Sequence, residues 1–345
     1  MIFLLFAWLW LTVDSFQMDN VRHGRTRISS ALLAQDESST SAGTFPLSTK
    51  AALLRRAKEI NVEDGKLLGS YSPSGWSNRA GLALTPVALP GVYTGDRPFY
   101  WNNIDVGCRM VVIQLEKSND LWVHSPVGLD ASTKQALSKL GNVKYVVSPN
   151  YEHLKFAEQW YKEYPGAYMW GCPGLSERLP NIKFEGEIPS GLLRPTQNDQ
   201  KENCWDFNEI VPLHLDMEVN PFTGKAFFNE VIFYHRPSKT LMTTDLFWNY
   251  PQSDGVPNSN LQGDKEWELA PTVETIPLGS RLWKQGMDKV FLPFYKNLMV
   301  KNRGYYDEVK KVLLEEWDIE TLIPAHGDII RGKDLIRNVL SKHLN

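Results

Sequence analysis

The run VKYVVSP at residues 143–149 constrains the fold more than any other stretch of the chain. An apolar run rich in β-branched residues marks an interior strand. It passes through a short polar turn into YEHLKFAEQWYKEY, which reads as a helix, and then into AYMWGCPG, a further strand. Upstream, CRMVVIQLE and DLWVHSPVG are two short strand patterns separated by KSN, which predicts a hairpin. ASTKQALSKLG follows with helical spacing, Ser132 as a candidate cap and Gly141 as a stop. Around residues 182–219 the pattern predicts irregular short strands.

Downstream, NEVIFYHRPSKTLMTTDLFWN places two strands about an RPSK turn, the second ending at Asp245. Two helices are expected near 276–282 and 305–316. IETLIPAHGDII is a last strand feeding a His-Gly turn, and GKDLIRNVLSKHL is the closing helix. Hairpins first and strand–helix alternation later point to sheets covered by helices. Periodicity alone does not choose among α/β architectures.

The 345 residues suffice for one large domain or two small ones. A net charge of −3 offers no electrostatic footprint for nucleic acid or an anionic membrane. Cys108, Cys172 and Cys204 form no C-x-x-C pair and read as buried free thiols, with a Cys172–Cys204 pairing left open. No P-loop, G-x-G-x-x-G loop or G-x-S-x-G elbow is present, so nucleotide-dependent and serine-hydrolase chemistries have no support. Oligomeric state is not legible.

The first residues read as an address. The apolar run from Ile2 to Val13 is too short to span a bilayer comfortably and ends before a small residue, Ser15, which suits a signal peptide over 1–15. Residues 16–45 are basic and acid-poor at first, with Arg22, Arg25 and Arg27, and then Ser/Thr-rich. Phe16 directly after the presumed cut makes the whole resemble the bipartite leader of plastids acquired secondarily. The expectation is delivery to a plastid through the secretory pathway; plain secretion is the alternative. Residues 46–100 read as an irregular arm that opens with an amphipathic helix, TKAALLRRAKEI, with Leu53, Leu54, Ala57 and Ile60 on one side. Residues 101–345 are the expected body.

Within that body, four strand ends resemble the metallo-β-lactamase superfamily. Ser148-Pro149-Asn150-Tyr151-Glu152-His153 stands where that superfamily carries H-x-H-x-D-H. HRPSKTLMTTD resembles the hairpin into its metal-bridging aspartate, here Asp245. LIPAHGD resembles the strand ending in a late histidine ligand, here His326. LWVHSPVGL resembles the early strand that normally ends in Asp-x-Gly. The HSP turn, the SPN loop and the RPSKTL…TD hairpin are more closely similar to an uncharacterised plant, algal and bacterial family with a degenerate version of the motif. The resemblance implies a four-layer αββα sandwich with its site where strand ends meet.

Carried over residue by residue, the resemblance implies that one metal site is lost. Ser148 and Asn150 replace its loop histidines, and residues 226–230 (AFFNE) offer no third. The second set survives as Glu152, His153, Asp245 and His326, a shell suited to one Zn, Mn or Fe. Asp245 or Glu152 is the expected catalytic acid–base group, and His124, Ser148 and Asn150 the expected substrate hydrogen-bond donors. Glu152 is one methylene longer than the aspartate it replaces, which leaves a vestigial site without metal as the alternative. His235 reads as a strand-end histidine, and His214 and His343 as surface or packing residues.

Two functions follow. One is metal-dependent hydrolysis of a small ester, thioester, amide or phosphoester. The other is a catalytically inactive protein that binds a ligand or partner through the same pocket. Trp101, Trp122, Trp160 and Trp248 are candidates for lining it and serve equally well as core.

Overall fold

The structure, a computed structural model, describes residues 49–69, 71, 81–88, 90–101, 103–191, 203–250 and 277–345. The signal-peptide and leader expectations, at residues 1–45, lie outside the described residues.

The first sheet contains β1 (Thr85–Ala88), β2 (Val92–Arg97), β3 (Cys108–Gln114), β4 (Leu121–His124), β5 (Val143–Ser148), β6 (Tyr168–Gly171) and β7 (Phe184–Glu187), in the order β7-β6-β5-β4-β3-β2-β1. The second contains β8 (Ile210–His214), β9 (Val231–His235), β10 (Thr240–Thr243), β11 (Thr321–Pro324) and β12 (Ile330–Arg331), in chain order. Strands β4 to β7 run parallel to one another, as do β10 and β11; the remaining pairs are antiparallel.

Alternation along the strands builds three apolar layers. Val111, Trp122, Tyr145 and Val147 of the first sheet face Ile210, Phe233, Met242 and Ile323 of the second in one buried cluster. Their neighbours Val112, Val123 and Val146 point the other way, onto α2 (Ala131–Leu140) and α3 (Ala157–Glu163). Ile232, Leu241 and Leu322 likewise turn outward, onto α4 (Leu278–Gly286) and its continuation, α5 (Arg303–Lys311) and α6 (Lys333–Leu344). Helix, sheet, sheet, helix is the expected αββα sandwich.

The chain departs from expectation in four places. The boundary at residue 100 falls inside the first sheet, because β2 pairs with β3 from Val92↔Ile113 to Arg97↔Cys108. The arm is therefore part sheet, although its helix α1 (Thr49–Asn61) buries Leu53, Ala57 and Ile60 as read. Helix α2 is capped by Asp130, whose carboxylate accepts the Thr133 N–H at 2.7 Å, and not by Ser132, whose hydroxyl donates to Leu68 O. The expected helix from residue 151 starts only at Ala157, since Asn150 Oδ1 captures the N–H groups of Glu152 (3.1 Å) and His153 (2.9 Å) and bends the chain into turns. All three cysteines are free, as read, but only Cys172 is buried; Cys108 and Cys204 are half-buried.

Candidate metal centre

Parallel β4 and β5 in one sheet and parallel β10 and β11 in the other deliver their following turns to one edge of the sandwich. Those turns carry Ser125, His153, Asp245 and His326. The donor atoms of His153, Asp245 and His326 all lie within 4.8 Å of one another. His153 Nε2 is 3.4 Å from Asp245 Oδ2, and His326 Nε2 is 3.7 Å from Asp245 Oδ1.

Each of the three is aimed by a partner behind it. His326 Nδ1–H donates to Gly107 O at 2.8 Å, and a carbonyl only accepts, so the neutral ring presents the Nε2 lone pair toward Asp245. Burial lowers the His326 pKa, against the opposing pull of Asp245, and favours that neutral form. His153 Nδ1 meets Ser125 Oγ at 2.7 Å, a contact set by Ser125 adopting φ 51° in the HSP turn. Burial works against the charged His153 ring, but the Asp245 carboxylate and then the Cys108 thiol outweigh it and hold the pKa well above the ordinary value. Asp245 receives the Asn150 amide on Oδ2 at 2.5 Å, and burial, which alone would raise it, loses to His153, His326 and Asn150.

Glu230 lies beneath this turn, in the segment where the resemblance sought a histidine. Its carboxylate accepts the backbone N–H groups of Thr244 (2.6 Å), Asp245 (2.9 Å) and Leu246 (2.6 Å). Burial, and then the charge of Asp245, raise its pKa. Asn150 and Glu230 thus brace the Asp245 turn by hydrogen bonds. Arg109 braces the His326 turn: Nη1 donates to Pro324 O (2.6 Å) and Gly327 O (2.7 Å), while Nε pairs with Asp96 Oδ1 (2.6 Å).

The other expected site residues stand elsewhere. Glu152, the fourth expected ligand, lies outside the three-donor group, on an exposed turn at the rim. Protein atoms crowd this concave rim even though the side chain reaches solvent; that crowding, and then Asp245, push its carboxyl up to about 7. His124, Ser148 and Asn150 are all buried and none lines the pocket above the cluster. His124 sits between Trp122 and Phe233, and burial, then the charge of His153, depress it to about 3. Asn150 turns its amide down onto Asp245 and Thr244.

The pocket has a cavity volume of about 100 Å3, opens to solvent, and reaches His153, Asp245, His326, Glu152 and Cys108. Its walls are apolar: Phe99, Trp101, Phe228, Trp248, Trp283 and Met287. Trp101 and Trp248 therefore line it as expected, whereas Trp122 and Trp160 are core. Trp283 and Met287 come from α4 and its continuation, a region with no legible link to the ligand turns. His235 contacts Ser238 at a strand end, and His214 and His343 are packing residues.

Residues 91–260 match the family model for a domain of unknown function (DUF4336). Metallo-β-lactamases are among the solved structures similar to this chain. One from Pontibacter korlensis is 11% identical, covering 76% of this chain and 98% of that one, with a TM-score of 0.43. One from Hirschia baltica is 8% identical, covering 75% and 96%, with a TM-score of 0.44. FIM-1 from Pseudomonas aeruginosa, in its mono-zinc form, is 12% identical, covering 76% and 96%, with a TM-score of 0.43. No curated protein matches. The match to a domain of unknown function spans residues 91–260, and the helix–sheet–sheet–helix layering is the αββα sandwich that the strand-end motifs implied. No described helix is long and apolar enough to cross a membrane.

Proposed function

We propose that this pocket is the active site of a mononuclear metal-dependent hydrolase acting on a small ester, thioester, amide or phosphoester. The observation that carries the reading is the convergence of His153, Asp245 and His326 within 4.8 Å at the floor of a pocket. Two imidazoles and one carboxylate fit a catalytic site that leaves a position open for substrate. His153, Asp245 and His326 would hold a divalent ion, which would supply Lewis acidity and lower the pKa of water toward neutrality. His326 offers its Nε2 lone pair, Asp245 the negative charge, and Ser125 fixes the His153 ring. Glu152, raised to about 7 and placed on the rim, gains or loses a proton on its carboxyl near neutrality and serves as the acid–base group.

Elemental analysis of the full chain, purified without chelator, is the test. About one equivalent of Zn, Mn or Fe is expected, absent from the His153→Ala/His326→Ala double variant, together with turnover. Undiminished activity in the double variant, or no metal in either protein after soaking, sinks the hydrolase reading. The second reading, a pocket that binds a ligand without chemistry, draws support from the aromatic walls and from Glu152 standing apart from the donors.

A further inference from the structure

Resting on the hydrolase reading, we infer that the substrate is a carboxylic-acid derivative with a short aliphatic acyl group, and not a phosphoester. Three features of the pocket carry this. First, its cationic complement is small. Among the described lining residues the one lysine or arginine is Lys155, at the exposed rim, where its ammonium lies 5.0 Å from the centre of the Phe99 ring and 5.6 Å from that of Phe156. Glu152 and Asp245 bring opposing negative charge. Sites that recognise phosphate use arginine forks, clustered lysines or helix N-termini, and the described residues of this wall include no arginine.

Second, the polar edges of two wall residues are already taken. Trp248 Nε1–H donates to Asp288 Oδ1 at 2.9 Å, and Trp283 Nε1–H donates to the Tyr250 hydroxyl at 3.1 Å. What these indoles offer a ligand is ring carbon. With Phe99, Phe228 and Met287 beside them, the wall rewards removal of apolar surface from water and gives little to a charged or heavily hydroxylated group.

Third, the cavity beside the donors is small. About 100 Å3 is less than the roughly 150 Å3 apolar cavity that takes up a benzene ring. A chain of a few carbons fits beside the three donors, whereas an aryl ring or a long chain does not. The leaving group then points past Glu152 and Lys155 to the mouth.

Two measurements on the full chain test this. Turnover of p-nitrophenyl butyrate, decanoate and phosphate is compared, and binding of 2-pentanone, a non-hydrolysable ketone, is followed beside inorganic phosphate by tryptophan fluorescence and NMR. The expected result is a kcat/KM for the butyrate ester at least about tenfold above both others, with saturable binding of the ketone. Met287→Lys, which sets a cation in the wall, is expected to lose at least about tenfold in ketone affinity, with metal content unchanged. Trp101→Ala, which opens the wall without adding charge, is expected to raise the decanoate rate relative to butyrate. Ketone binding without turnover of any ester removes the hydrolase reading and leaves the ligand class standing. A preference for the phosphate or decanoate ester, or failure to bind the ketone in protein that does hold metal, overturns the inference.

Discussion

At the scale of single residues, the site depends on side chains that touch the three donors from behind. Ser125 is the clearest. Its Oγ meets His153 Nδ1, and its left-handed backbone is what brings the hydroxyl there. Ser125→Ala should leave the fold within about 1 kcal/mol of wild type, while metal affinity, read by competition with a chelating dye, falls about 10- to 100-fold. Unchanged affinity would show that the serine does not orient the ring. Gly327 illustrates the opposite dependence, on having no side chain. It adopts φ 97°, and a Cβ there would stand 2.2 Å from the Asn249 backbone. Gly327→Ala must therefore push apart the chains that join Asn249 N–H to His326 O at 2.9 Å. Loss of metal in a variant that still unfolds cooperatively is the expected outcome.

At the scale of elements, strand direction assembles the centre and a buried guanidinium locks it. Arg109 on β3 reaches across the sandwich to the carbonyls on either side of Ala325–His326, while Gly107 O, two residues before Arg109, holds the imidazole itself. One short segment of the first sheet thus grips the His326 turn at both backbone and ring. Arg109→Met removes the partner of half-buried Asp96 and of two buried carbonyls, so a loss of about 3–5 kcal/mol is expected in urea unfolding. Arg109→Lys keeps the charge but not the fork, and should recover part of the stability and little of the metal affinity. Equal stability of Arg109→Met and wild type would show that the clamp contributes nothing.

For the whole molecule, buried His124 and half-buried His343 make stability depend on pH. Burial depresses His124 to about 3 and His343 to about 4, the latter in spite of its Nε2–H donating to Leu246 O. Both rings are neutral in the fold and protonate near 6.5 when unfolded. The unfolded chain therefore binds more protons as pH falls below about 6.5, and stability present at pH 7 is lost toward pH 4. Each pH unit in that window costs about 1.4 kcal/mol per histidine. His343→Gln keeps a donor for Leu246 O, and should show a shallower fall in urea midpoint between pH 7 and 5 than wild type. An identical slope would place the acid sensitivity elsewhere.

The sequence by itself determined the strand and helix order, the αββα class through its strand-end motifs, and the three turns that carry His153, Asp245 and His326. These are local signals: apolar runs, turn residues and short motifs spell themselves out within a dozen positions. Only the tertiary structure decided what surrounds them. Arg109 and Gly327 are 218 positions apart, and no local pattern predicts that one clamps the other. Cys108, read as a buried thiol, lines the pocket because its strand starts at the site edge. Glu152 and His124 carried the right chemistry in the right motifs, yet an Asx-stabilised turn swung the first to the rim and aromatic packing sealed the second inside. Which side chain reaches a shared point depends on register and on how the two sheets meet. That is settled when distant segments pack, and single-chain periodicity does not encode it.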